Sequence, residues 1–365
     1  MREPDNPTIA IYLTPHGNGH AVRMCEIVRA LRRRAPHLRV VLVARHSAGF
    51  LRSRIGASDI AIREDALDTG MVQRDSVRSD PEASLGAALR LLREWPDRVR
   101  SEAAWLVRER IAAVVCDIPA IPIEAARRAG LPALAVGNFS WSWIYEQLAR
   151  TDPRWDPVAD AFRRAYDMAD LLIRLPFHEP MNAFRQHQDV GLVAAQGRCR
   201  REELAAATGA PLHTTWVLLS FSSLAWSPEA LRRASAVPDI DWFTVRPLQW
   251  EAPRFHAVDR NGFPFVDVLA SCDVVLSKTG FGIVSECIAN RKPLVFVDRP
   301  EWPESALLVE GILRYARGTE LSQADLYAGK LEPAIAAALR APSPPVALPN
   351  DGAEQAARII AEFAR

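Results

Sequence analysis

Short β-rich apolar runs recur along this chain with helical patterns between them, and that alternation limits the fold more than any other feature. Thr8 to Leu13 (TIAIYL), Val40 to Ala44, Ile111 to Cys116, Ala133 to Val136 and Leu171 to Leu175 form a first series. Trp216 to Phe221, Trp242 to Val245, Asp273 to Leu276 and Leu294 to Val297 form a second. A strand, a glycine loop, a helix (Ala21 to Arg34) and another strand within the first stretch make a βαβ unit, which winds right-handed into a parallel sheet. The fold class expected is therefore α/β, two Rossmann-like doubly wound domains in tandem, their strand ends facing across a cleft.

The chain has 365 residues, more than one ordinary core of roughly 100 to 200 residues accommodates. Residues 1–180 read as the first domain and 181–210 as a linker with the first helix of the second. Residues 211–350 then make the second domain, and 351–365 a helix that follows a proline-rich stretch and crosses back. The run from Ile62 to Asp80 has weak periodicity and reads as loop, and Pro122 is expected to open a helix at its first turn.

A net charge of +1 provides no overall field for nucleic acid. Arginines cluster in Arg29 to Arg39 and in Arg90 to Arg110, either as solvated helix faces or as a peripheral contact with anionic membrane. No stretch is apolar enough to span a bilayer, and no apolar signal core follows the N-terminus. The five cysteines are scattered without a CxxC pair, and Cys25, Cys116, Cys272 and Cys287 read as reduced core residues of a cytoplasmic protein. Neither a disulfide framework nor a metal-ligand cluster is expected.

Ligands of such sheets bind beyond the carboxyl ends of the strands. In DVVLSKTGFGIVSE, a strand leads into a turn bearing Ser277, Lys278, Thr279, Gly280 and Gly282, then a helix. Free amides, a helix dipole and one ammonium there suit a phosphate, and Glu286, one turn inside the helix, suits ribose hydroxyls. A plain glycine-tightened βα turn has the same pattern. In PHGNGHAVR, His20 stands near a helix start, whose positive end favours the neutral imidazole, and Arg23 follows on the next exposed turn. Asp117, at the end of the strand AAVVCD, is placed to orient His20 as a base, the alternative being that His20 caps or packs against its turn and Asp117 caps the following helix. His16 is a second candidate, and spacing does not separate the two. In NFSWSW, Asn138 and Ser140 offer hydrogen bonds and Trp141 a face for stacking a sugar, although paired indoles also fit a core. In DRPEWPE, Arg299, Glu301 and Glu304 read either as a solvated loop or as partners of a polyhydroxylated ligand.

Together GHAVR, SKTGFGIVSE and DRPEWPE resemble the GT-B glycosyltransferases, particularly the lipid-linked N-acetylglucosamine transferase of peptidoglycan synthesis, of family 28. DTGMVQRDS, VGNFSWSWIYEQ and LLIRLPFHEPMNAF extend a closer likeness to the N-terminal, glycosyltransferase-like half of plant L-arabinokinase. No sugar-kinase half is represented, so kinase activity is not expected. The resemblance implies a metal-independent hexosyl or related transfer from a nucleoside diphosphate sugar, with uridine favoured, to a hydroxyl acceptor. It makes His20 a base or a donor-phosphate contact, Glu286 the ribose carboxylate, and Ser277, Lys278 and Gly280 the diphosphate turn. No cofactor is implied beyond the donor substrate. One departure stands out. After the first strand of the second domain the family has a glycine-rich loop, where this chain has SFSSLAW. Ser222 and Ser223 can bind phosphate oxygens, but their β-carbons limit backbone approach. A catalytically silent nucleotide-sugar binding module is therefore the alternative, and a nucleotide-sugar epimerase a further one.

Overall fold

The computed structural model describes residues 6–297, 299 and 301–364. They form two compact units: one holds the residues up to Val72, Asp80–Val193 and those from Pro349 on, the other Gln73–Ser79 and Ala194–Leu348. The division after Val193 lies inside the segment read as a linker, whereas the placement of 73–79 with the second unit had no signal in the periodicity.

The first unit is built on seven strands: β1 (Thr8–Leu13), β2 (Arg39–Val43), β3 (Ala61–Arg63), β4 (Ile111–Asp117), β5 (Ala133–Gly137), β6 (Leu171–Arg174) and β7 (His187–Asp189). Their order is β3-β2-β1-β4-β5-β6-β7, every pair parallel. The central strands are buried along nearly their whole length, as covering by helices on both faces requires. Leu171 to Leu175 was expected to be the last strand, but β7 lies outside it. Its sequence is HQD, wholly exposed, with nothing apolar to announce it; Arg174 Nε donates to Asp189 Oδ1 at 2.6 Å across the pair. β3 falls partly within the stretch read as loop.

The helix Asn18–Arg34 begins three residues earlier than expected, because Gly17 caps it at φ 72°, a conformation that glycine adopts without β-carbon strain. The C-terminal helix Gly352–Phe363 packs against it, with Arg33 paired to Glu354. Arg29 and Arg32 are paired with Glu26 and Asp59. Three of the five arginines of the first basic run are thus paired with carboxylates of their own unit, which weakens any field they could present to a membrane.

The second unit has six strands: β8 (Thr215–Ser220), β9 (Ile240–Val245), β10 (Phe255–Val258), β11 (Val274–Lys278), β12 (Leu294–Val297) and β13 (Gly318–Leu321). The order is β10-β9-β8-β11-β12-β13, again all parallel. β10 and β13 were not anticipated; FHAV and GTEL are too short and too polar to be seen alone. In each sheet the strand order reverses once, between β1 and β4 and between β8 and β11. The loops after those four strands flank the crevices where doubly wound sheets hold ligands.

Candidate active site

At the first reversal, register sets Leu13 of β1 beside Asp117, the last residue of β4. His20 is the third residue of the helix that follows β1, and its Nδ1 lies 2.8 Å from Asp117 Oδ1. Arg23 follows one turn later on the same face. It was expected on an exposed turn; instead it is 2 % exposed, because that face packs on the sheet. Its Nε donates to Asp117 Oδ2 at 2.6 Å, its Nη2 to Asp117 Oδ1, and its Nη1 to Asn138 Oδ1 at 2.8 Å. Burial by itself would raise the Asp117 carboxyl, but Arg23 and His20 outweigh it and hold the group below the ordinary carboxylate range.

This arrangement assigns the histidine tautomer. A carboxylate can only accept, so His20 Nδ1 carries the hydrogen toward Asp117, and the nearby Arg23 Nη2, at 3.0 Å from Nδ1, is a close contact between donors. His20 Nε2 then keeps its lone pair. His16 is held differently: its Nδ1 accepts from the Met71 amide at 3.3 Å and its ring meets Trp141 edge-on at 5.2 Å.

The NFSWSW residues, expected to border the cleft and contact an acceptor sugar, face inward. Trp141 is fully buried, stacked on Tyr145 at 5.7 Å and crossed by Phe139, with its indole N–H on Asp68 Oδ2 at 3.0 Å. It is core, not a platform for a sugar ring. Ser140 caps the helix Trp141–Ala149 by accepting from Trp143 N, and its hydroxyl donates to Glu179 Oε1 at 2.8 Å. Asn138 is buried and holds Arg23. The helix start after β5 is therefore structural, which the NFSWSW pattern left open.

The sequence reading passed over His46 and Asp68. His46 follows the carboxyl end of β2, so strand-end placement was the available signal; its Nε2 lies 3.1 Å from the Gly17 carbonyl, and burial pushes its pKa down. Asp68, in the stretch read as loop, is buried, and that burial pushes its carboxyl up to about 7.

At the second reversal, Ser277 donates its hydroxyl to the Ser220 carbonyl at 2.8 Å and so ties β11 to β8. The Thr279 hydroxyl meets that of Ser305 at 2.6 Å, and both residues are buried. These two hydroxyls serve the protein rather than facing a ligand. Arg299 and Glu304 are buried too: Arg299 Nη2 donates to the Thr279 carbonyl at 2.6 Å, and Trp302 Nε1 to Glu304 Oε2 at 3.1 Å. The reading of DRPEWPE as a solvated loop holds for Glu301, which is exposed, and Asp298 lies outside the described residues.

Lys278 differs from these. It is half-buried, and its ammonium makes no hydrogen bond or ion pair with any described residue. Burial first, then the nearby Arg299, push it down to about 7. Gly280 caps the helix Phe281–Ala289 with an extended backbone at φ −166°, and an added β-carbon would meet nothing nearer than Lys278 Nζ at 3.9 Å. Neither conformation nor packing within the protein asks for glycine there, so its bareness leaves room beside the ammonium and the helix amides. Gly282 is half-buried within that first turn, and Glu286 is buried further along. Ser222 and Ser223 have exposed side chains, but both of their amides donate to Ser76 Oγ, at 3.1 and 2.9 Å. Among the described residues no group of three or more His, Cys, Asp or Glu is arranged to hold a metal ion, and no helix is long and apolar enough to cross a membrane.

Two Rossmann-like parallel sheets in tandem, with the last helix returned to the first unit, constitute the GT-B fold. No protein-family model matches the chain. It is 30% identical over 361 residues, 97% of its length, to the L-arabinokinase of Arabidopsis thaliana, and spans 34% of that protein. Among solved structures it resembles a UDP-glucosyltransferase from Polygonum tinctorium capable of glucosylating indoxyl, with 16% identity, TM-score 0.61 and coverage of 100% of this chain and 99% of that one. It also resembles the glycosyltransferase of kitacinnamycin, with 19% identity, TM-score 0.60 and coverage of 99% and 100%. For the calicheamicin glycosyltransferase CalG4 the values are 18% identity, TM-score 0.58, and 100% and 96% coverage.

Proposed function

We propose that the chain is a glycosyltransferase that moves a sugar from a nucleoside diphosphate sugar to a hydroxyl acceptor. The observation that carries this reading is the His20–Asp117 pair at the first strand reversal, braced by Arg23, with an imidazole nitrogen left to take a proton. The acceptor oxygen attacks the anomeric carbon as its proton passes to His20 Nε2. The bond from that carbon to the diphosphate breaks, and the diphosphate leaves with the electron pair. Lys278 and the amides at the start of the helix Phe281–Ala289 supply positive charge for the leaving group, and Glu286 holds the ribose. We take the transfer to be metal-independent because these protein groups provide that charge. A uridine nucleotide is favoured, since UDP-glucose chemistry is what the Polygonum tinctorium enzyme is named for. The similarity to L-arabinokinase covers 97% of this chain but 34% of that protein, and it lends no support to a particular chemistry.

Calorimetry with UDP, GDP, dTDP and ADP, followed by donor-hydrolysis assays with the matching sugars, tests the proposal. One diphosphate is expected to bind well ahead of the others, and its sugar to be slowly hydrolysed without acceptor. Tight binding with no consumption of any donor would instead establish the silent binding module. That second reading is favoured by one observation, the occupation of the Ser222 and Ser223 amides by Ser76. Glu286→Ala is expected to weaken nucleotide binding by about tenfold, the loss of one charge-assisted hydrogen bond, measured in the same calorimeter.

Lys278 adds a pH signature. Its folded pKa of about 7 lies below that of a free ammonium, so the cation is full below that value and is lost as pH rises through it. A bound diphosphate stabilises the protonated form. Affinity for the diphosphate is therefore expected to fall above pH 7 by up to about tenfold per unit, the limit for one linked proton. Lys278→Met should bind more weakly and flatten the profile; an unchanged slope in that variant would remove Lys278 from the site.

A further inference from the structure

The run DTGMVQRDS, which the proposed function leaves unused, contributes a turn to the second unit. Gln73 and Ser79 form an antiparallel bridge, and Asp75 closes the turn by accepting from the amides of Val77 and Arg78 at 2.8 and 2.9 Å. Three separate contacts fasten it. Val77 is buried in the second unit's core with Phe221, Leu224 and Leu326. Tyr327 donates its hydroxyl to Asp75 Oδ2 at 3.0 Å, and the Arg78 guanidinium lies over the Tyr327 ring at 4.9 Å.

At the tip, Ser76 Oγ accepts from the amides of both Ser222 and Ser223, and it lies 2.8 Å from Ser222 Oγ. A hydroxyl has two acceptor positions and one hydrogen. Both acceptor positions are filled, so the hydrogen goes to Ser222 Oγ, and the Ser76 oxygen is fully satisfied. Two adjacent amides converging on one oxygen, at the end of the strand beside the sheet's reversal, are the donor arrangement by which backbones bind anions. Here the oxygen belongs to the protein itself.

We propose that the turn Gln73–Ser79 is a tethered occupant of this amide pair: Ser76 Oγ stands where a phosphate oxygen would, and an anion engaging Ser222 and Ser223 must first displace it. The glycine-free SFSSLAW loop is then a masked phosphate loop rather than a lost one. The mask lowers affinity for free diphosphate, and withdrawal of the turn exposes the two amides. This inference shares with the proposed function a phosphate ligand in the second unit, but its test needs no turnover.

The probes are inorganic pyrophosphate and UDP, with the full chain, by calorimetry. Ser76→Ala frees both amides while Asp75 and Val77 keep the turn in place, and it is expected to tighten pyrophosphate binding roughly tenfold, within the range for hydrogen bonds to a charged group. Tyr327→Phe loosens the same turn without touching Ser76 and is expected to shift affinity in the same direction, which covers the case in which Ser76→Ala fails to fold. In the unaltered protein, saturating pyrophosphate should speed amide hydrogen exchange in residues 73–79. Unchanged or weaker binding in both variants, or exchange that is unchanged or slowed, would show that the turn braces the loop, and the proposal would fall. Should UDP bind with no effect of either variant, the donor reading would survive without the mask. A response to pyrophosphate in a protein that consumes no sugar donor would leave the mask standing and remove the transferase.

Discussion

Replacing His20 by alanine is expected to lower turnover by about two to four orders of magnitude, the usual contribution of a positioned general base, while affinity for the nucleoside diphosphate stays nearly intact. The split follows from where the residues lie. His20 belongs to the first strand reversal and Lys278 and Gly280 to the second, in different units of the chain. The Asp117 bond to Nδ1 leaves Nε2 as the imidazole's acceptor, so glutamine, which has no titratable nitrogen, should not rescue activity even though it keeps polarity. Steady-state kinetics with saturating donor, beside calorimetry with the diphosphate alone, separate the two effects. Equal losses of binding and turnover would make His20 a donor contact instead of a base.

The second large effect concerns stability. Asp117→Ala should cost about 3–5 kcal/mol in denaturant unfolding, because it leaves the buried Arg23 guanidinium without its carboxylate. Arg23 keeps its bond to Asn138, which satisfies one nitrogen but does not neutralise the charge. Replacing both members, Asp117→Leu with Arg23→Met, should recover most of that loss, since a well-packed apolar pair of similar volume is often as stable as a buried ion pair. The double variant should nevertheless remain inactive, because His20 has then lost the partner that fixes its tautomer. Recovery of activity with stability would dismiss the orienting role. Since the folded Asp117 pKa is depressed, its contribution is complete above about pH 4, the unperturbed carboxyl value, and fades as pH falls through the folded one. The stability deficit of Asp117→Ala should shrink in acid accordingly.

Both effects arise from residues that the sequence brought forward, yet in different parts. Asp117 ends an apolar run and His20 opens the helix that follows another, so both were expected where open sheets gather their chemistry. Arg23 was misplaced as exposed because one turn of helix says only that it shares a face with His20, not whether that face meets solvent or sheet. Trp141 and Ser140 failed as acceptor contacts for a related reason: the same aromatic, hydroxyl-rich pattern caps and packs a helix as readily as it lines a pocket. Ser76 closes DTGMVQRDS, a run that marks a likeness but gives no hint of what the hydroxyl touches. A serine in an aperiodic stretch takes its meaning from two amides 146 and 147 positions away in the chain.

What the sequence alone determined was the βα alternation, the two-domain α/β plan and the places where loops follow strands, since hydrophobic periodicity and glycine placement are local and need no partner to be read. The tertiary structure decided everything that depends on which surfaces meet: the added strands β3, β7, β10 and β13, the burial of Arg23 against Asp117, and the insertion of 73–79 into the second core. Pairing an edge strand or filling a pair of amides draws its free energy from groups distant in the chain, and no local pattern encodes that contact.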